Sequence, residues 1–142
     1  MKFIGWNCHG KGKALSSSTK MEYLARLMNS TNAQVTFVSE TRSSKITPSQ
    51  LNARFNSADS YVVPSDGLSG GLWLLWSEYV EVDVRFSNHF MILALVIEVS
   101  TKFEFVLACV YGDPHHRLTK MIWDNIFNFV NENLGKPVGL LR

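Results

Sequence analysis

An α+β layered domain with a mixed sheet is predicted by three features: two strand-helix pairs at the start, closely spaced strands through the middle, and an amphipathic helix near the end. Phe3 to Cys8 is a short apolar and aromatic run that breaks into Gly10-Lys11-Gly12-Lys13, a strand emptying into a basic loop. Ser18 or Thr19 can cap the helix that follows, where Met21, Leu24, Leu27 and Met28 recur at helical spacing until Asn29 to Asn32 end it. Val35 to Val38 supplies a second strand, closed by Ser39-Glu40-Thr41. Pro48 opens a second helix, with Leu51 and Phe55 one turn apart.

From Tyr61 the texture changes to strands: Tyr61 to Val63, Leu72 to Trp76, Val80 to Phe86, Phe90 to Val99 and Phe103 to Tyr111, which read as a meander. Val80, Val82, Val84 and Phe86 alternate with Glu81, Asp83 and Arg85, the pattern of a sheet with one wet face. Leu72 to Trp76 and Phe90 to Ile97 lack that alternation and are expected to lie deeper. Ile122, Trp123, Ile126, Phe127 and Val130 mark the amphipathic helix, ending near Asn133 to Gly135. Val138 to Leu141 begins a further strand, and a strand cut short there exposes a pairing edge.

The 142 residues, 46% hydrophobic and 18% charged, suit one globular domain and exclude disordered and collagenous classes. Cys8 and Cys109 are too few for a secreted disulfide scaffold and form no CxxC pair, so a reducing, intracellular setting is expected, nuclear or cytoplasmic. A formal charge of +2 is too small to attract nucleic acid or an anionic membrane through the overall field. Asn7 interrupts the N-terminus before a signal-peptide core of roughly 7–15 apolar residues fits. The apolar run Phe90 to Ile97 stops far short of the about 20 residues of a membrane span.

Asn7 and Glu40 each follow an apolar strand, which puts both at comparable strand ends, where open sheets bind ligands. Glu40 can supply the carboxylate that a hard cation such as Mg²⁺ takes alongside phosphate and water. The alternative is that Glu40 caps a turn with Thr41 and Asn7 satisfies turn backbone. Lys11, Lys13 and Lys20 follow Asn7 and are either phosphate contacts or solvated loop lysines. The glycines between them match neither GxGxxG nor GxxxxGK[ST], so no nucleotide cofactor is expected. Tyr111 ends its strand with its hydroxyl directed to the same rim, and His115 and His116 follow in a loop as either general bases or exposed side chains. Cys8, His9, His115 and His116 match no standard zinc spacing.

Taken in order, Trp6-Asn7-Cys8-His9-Gly10, Val38-Ser39-Glu40-Thr41, Ser69-Gly70-Gly71-Leu72, His89-Phe90, Val110-Tyr111-Gly112 with Pro114, and Arg117 before Trp123 resemble the endonuclease/exonuclease/phosphatase superfamily. The spelling is most similar to the apurinic-like endonuclease domain of plant LINE-type (non-LTR) retroelements, from Lys2 to about Pro137. The resemblance implies a four-layer α/β/β/α sandwich with two sheets face to face, and Mg²⁺- or Mn²⁺-dependent cleavage of phosphodiesters in DNA. It implies that Asn7 helps position water on the metal or the phosphate, that Glu40 binds the metal, and that Tyr111 contacts the phosphate, with Lys11, Lys13 and Arg117 as weaker DNA contacts.

His9 stands where abasic-site members carry an acidic residue, and the later GDFN and SDH motifs of the family are absent. Residues 1–142 are therefore expected to form one incomplete domain of this type, truncated after roughly its first half. Enzymes accelerate reactions by about 10⁶–10¹⁷-fold, while one positioned acid or base supplies about 10²–10⁴, so the retained residues are expected not to cleave DNA alone. The alternatives are a non-catalytic binding fragment that self-associates through the exposed sheet edge, and a phosphatase-type member acting on a phospholipid or inositol phosphate.

Overall fold

A computed structural model of the chain describes residues 1–8, 18–67, 69–111 and 119–142. The first sheet contains β1 (Phe3–Asn7), β2 (Val35–Ser39), β3 (Asp59–Val63) and β4 (Leu72–Trp76) in the order β1-β2-β4-β3. Helix α1 (Ser18–Thr31) connects β1 to β2, and α2 (Pro48–Phe55) lies between β2 and β3. The second sheet, in the order β5-β6-β7-β8, contains β5 (Val80–Ser87), β6 (Met91–Glu98), β7 (Glu104–Val110) and β8 (Val138–Leu141), with α3 (Thr119–Glu132) joining β7 to β8.

The sheets pack face to face, with Phe37 and Leu74 of the first meeting Ile92 and Leu107 of the second in a buried core. Helices α1 and α2 cover the outside of the first sheet through Leu24, Leu51 and Phe55 against Trp73 and Leu75. Helix α3 covers the second through Ile122, Ile126 and Phe129 against Leu93 and Ala108. This is the α/β/β/α order of layers implied by the resemblance. The two strands without alternation are inner strands, β4 between β2 and β3 and β6 between β5 and β7, so both of their faces meet protein. Each large apolar side chain buried this way contributes roughly 1.5–3 kcal/mol.

The expected single meander is divided. β4 inserts between β2 and β3, antiparallel to both, and the three residues Ser77 to Tyr79 carry the chain across to the second sheet, where β5, β6 and β7 do form a meander. Periodicity gives the face of each strand but not its neighbours, so the sheet change is silent in the sequence. Each sheet is mixed, because β1 pairs parallel with β2 and β8 parallel with β7.

The β5 alternation fails at its end. The register shifts between Val84 and Phe86, so Arg85 is the extra residue of a bulge and Phe86 pairs with Leu93, which faces α3 rather than the inter-sheet core. Helix α1 already includes Ser18 and Thr19, so its capping position precedes both and lies outside the described residues. Helix α2 begins as expected at Pro48, preceded by a reciprocal capping box between Thr47 and Gln50, and it ends on Asn56 in the left-handed conformation. Val138 to Leu141 forms a strand paired with β7, at the end of the described order of its sheet.

Candidate functional site

Parallel pairing of β1 with β2 brings their C-terminal ends to one rim, with Asn7 opposite Ser39 and therefore beside Glu40. β7 ends at the same rim. The hydroxyl of Tyr111 donates a 2.7 Å hydrogen bond to Oε1 of Glu40, while its ring packs against the inter-sheet core. Alternation places Phe3, Gly5 and Asn7 on one face of β1, and Phe3 contacts Phe105 of the opposite sheet, so Asn7 also projects toward the gap between the sheets. The structure thus gathers Asn7, Glu40 and Tyr111 at one end of the sandwich.

Glu40 is held in an uncommon conformation. Its φ is +55° and that of Arg42 is +51°, left-handed values that cost a residue with a Cβ about 1 kcal/mol or more and persist only where the surroundings enforce them. Cys8 is buried beneath this turn, its amide bonded to the carbonyl of Ser39 at 3.1 Å and its thiol donating to the carbonyls of Ser39 at 3.2 Å and Glu40 at 2.9 Å. From the other side, Thr41 N–H donates to the Gly71 carbonyl at 3.2 Å and Arg42 N–H to the Gly70 carbonyl at 2.8 Å.

Both glycines are required there. Gly70 and Gly71 have φ of +75° and +93°, and a Cβ would run into the His89 ring at the first and the Thr41 hydroxyl at the second. Burial pushes the Cys8 thiol from its ordinary 9.0 up to about 11; Lys20 and Arg42 oppose that rise and Glu40 reinforces it.

No protein-family model and no curated protein matches the sequence. Solved structures do match. The human Nocturnin catalytic domain, in a structure with bound sulfate anion, gives a TM-score of 0.67 at 11% identity over 96% of this chain and 62% of that chain. TDP2 from Caenorhabditis elegans gives 0.64 at 17% identity over 95% of this chain and 44% of that one. The endonuclease domain of TRAS1, a telomere-specific non-LTR retrotransposon, gives 0.61 at 10% identity over 96% and 56%. This chain has the endonuclease/exonuclease/phosphatase fold. It spans between 44% and 62% of the length of these structures.

Within that fold, the other sequence candidates have different fates. Lys11, Lys13 and Arg117, and with them His9, His115 and His116, lie outside the described residues. Lys20, grouped by sequence with the loop lysines, donates from Nζ to the carbonyl of Cys8 at 2.6 Å and so ties α1 to the end of β1. Among the described residues, no three of His, Cys, Asp and Glu cluster as a metal-holding group. The sequence reading missed the turn that supports Glu40. Cys8 and Ser69-Gly70-Gly71 enter the resemblance as motif spelling without a role in holding Glu40, because their contacts run to backbone carbonyls and N–H groups, which any residue carries. The one available signal was the Gly70-Gly71 pair itself, ahead of a strand that otherwise tolerates no break.

Proposed function

We propose that the chain carries the metal- and phosphate-binding part of a phosphodiester-hydrolysing site of DNA endonuclease type, and that its own residues bind without supplying enzyme-level turnover. The observation that carries this reading is the Tyr111 to Glu40 hydrogen bond, which fixes a carboxylate at the rim where β1, β2 and β7 end. The donor set fits a hard cation. Glu40, the amide of Asn7 and the phenol of Tyr111 all offer oxygen, and Mg²⁺ is commonly bound through one or two carboxylates with phosphate and water completing its shell. When bound, Mg²⁺ or Mn²⁺ would supply Lewis-acid polarisation of a phosphoryl oxygen.

The chain's residues divide the remaining work. Tyr111 orients the carboxylate, Cys8 and Gly70-Gly71 hold its backbone, and the amide N–H of Asn7 is suited to donate to a phosphate oxygen. A DNA substrate is supported by the TRAS1 endonuclease domain among the similar structures and by the retroelement-like spelling of the motifs. Incomplete catalysis is supported by Glu40 being the one carboxylate named at this rim among the described residues: a further base and a group to stabilise the leaving oxygen are needed before the barrier falls by the about 8–23 kcal/mol typical of enzymes.

Calorimetric titration of Mn²⁺ into the full chain tests binding, and incubation of supercoiled plasmid with Mg²⁺ tests turnover. One metal site that Glu40→Gln weakens at least tenfold, with no nicking by pure protein, is the expected result. Metal binding indifferent to Glu40→Gln would remove the assignment. Nicking abolished by Glu40→Ala would overturn the statement that the retained residues are insufficient.

A further inference from the structure

A cleft of about 180 Å³ lies at the end of the first sheet remote from Glu40, where the C-terminal ends of α1 and α2 meet β2 and β4. β2 runs from this cleft to the rim, so Thr36 in its wall and Ser39 at the rim are about 10 Å apart along the strand. β4 is antiparallel to β2 and sets Leu75 opposite Thr36. Each of these two strands has a neighbour on both sides, so the cleft depends on neither edge of the sheet.

Alternation along β2 places Val35 and Phe37 in the inter-sheet core and turns Thr36 to the helix side, where it is 1% exposed. Among the described residues, its hydroxyl has no hydrogen-bond partner. A hydroxyl buried in that way carries an uncompensated desolvation cost, which a ligand bonding to it from the cleft offsets. Leu75 and Phe55, buried beside it, make the rest of the floor apolar. Asn29, Asn32 and Asn56 bring amides to the exposed mouth, and none of the described residues lining the cleft is charged.

We propose that this cleft binds a neutral nucleobase bearing an exocyclic amine, as a free nucleoside or as one base of a single strand. The apolar floor takes the face of a flat ring, and amides take its edge, as Asn does with the paired donor and acceptor of adenine. A cavity of about 150 Å³ holds a benzene ring, so 180 Å³ admits a heterocyclic base with its sugar outside. The amine is selected by the helix ends. Two helices present the negative ends of their dipoles here, which favours a ligand that donates. Helix α1 has no basic residue in its last turn to oppose this, and Arg54 of α2 has its guanidinium over the Phe55 ring at 5.6 Å.

Calorimetric titration of the full chain in EDTA tests this separately from the metal site, with adenosine and a short single-stranded oligo(dA) as probes. One site per chain with a dissociation constant below about 1 mM is expected. Saturation by adenosine means that a free nucleoside suffices, and saturation by oligo(dA) alone assigns the cleft to a strand. Uridine, which lacks the amine, and glucose are expected to bind at least tenfold more weakly than adenosine. Thr36→Val removes the hydroxyl at constant shape, and Asn32→Gly removes an amide at a left-handed position that glycine accepts. Each is expected to weaken binding at least fivefold. Thr36→Val is also expected not to lower the thermal midpoint of the ligand-free chain, because the hydroxyl gives up no bond within it. A lowered midpoint, no saturation by either probe, uridine or glucose binding as tightly as adenosine, or an affinity unchanged in either variant would overturn the proposal.

Discussion

Tyr111 and Glu40, 71 positions apart in sequence, are joined at 2.7 Å from phenol to carboxylate, and this bond ties the rim of one sheet to the rim of the other. The phenol ring is anchored in the inter-sheet core, so the carboxylate is oriented by packing as well as by charge. Tyr111→Phe keeps the ring and removes only the donor. It is expected to lower stability by about 1–2 kcal/mol, measured as the shift in urea midpoint, because hydrogen bonds to charged groups contribute roughly 1.5–3 kcal/mol and this one is only partly buried. A calorimetric Mn²⁺ titration is expected to show the same variant binding more weakly than wild type, as the bond that orients the Glu40 carboxylate from the second sheet is then lost. Unchanged affinity would mean that the carboxylate is positioned without its help.

Gly71→Ala is expected to be more damaging than an ordinary surface substitution. A left-handed φ costs about 1–2 kcal/mol for alanine, and the new methyl group would also displace the Thr41 hydroxyl, which donates no alternative space because Thr41 is wholly buried. A loss of about 2–4 kcal/mol in chemical denaturation is anticipated, together with weaker metal binding, since the Gly71 carbonyl holds the residue after Glu40. Wild-type stability in this variant would show that the turn relaxes without consequence.

The sequence made the elements legible because hydrophobic period and turn residues act locally. Leu72 to Trp76 was recovered as a strand at its observed boundaries, and Pro48 marks the observed start of α2. What local pattern does not carry is which strand pairs with which: nothing in Leu72 to Trp76 states that it separates β2 from β3. The bulge at Arg85 is similarly silent, because an extra residue leaves the written alternation of valines and charges undisturbed while turning Phe86 to the other face. At the rim, side chains that bring oxygen were legible at Asn7, Glu40 and Tyr111. The groups that hold the turn at Glu40 meet it at backbone carbonyls and N–H groups, which have no spelling.

The capping box of α2 offers a clean local test. Thr47 accepts from the Gln50 amide at 3.3 Å, and Gln50 accepts from the Thr47 amide at 2.9 Å. Thr47→Ala removes the first of these bonds and is expected to cost about 1 kcal/mol in thermal or urea unfolding, while Thr47→Ser restores most of it. Metal affinity should not move, because α2 packs on the outer face of the first sheet, whereas the Glu40 carboxylate bonds Tyr111 of the second. Equal stability for the alanine and serine variants would count against a contribution from the cap.

Burial at Cys8 predicts the alkaline limit of stability. The folded thiol is pushed up to about 11 from an ordinary 9.0, so between those values the unfolded chain has lost the proton that the folded chain retains. The unfolded state then binds fewer protons, and stability falls as pH rises, being fully present below about 9 and lost by about 11. Cys109, enclosed in the inter-sheet core, is raised by burial in the same direction. Deprotonation of Cys8 also removes the donor that holds the Ser39 and Glu40 carbonyls, so the turn at the rim should loosen over the same interval. Urea midpoints measured from pH 7 to 11 should be level and then decline. Cys8→Ser keeps a hydroxyl donor that does not titrate there, and it should flatten the decline, leaving the part due to Cys109. A decline of undiminished slope in Cys8→Ser would assign the alkaline transition to other groups.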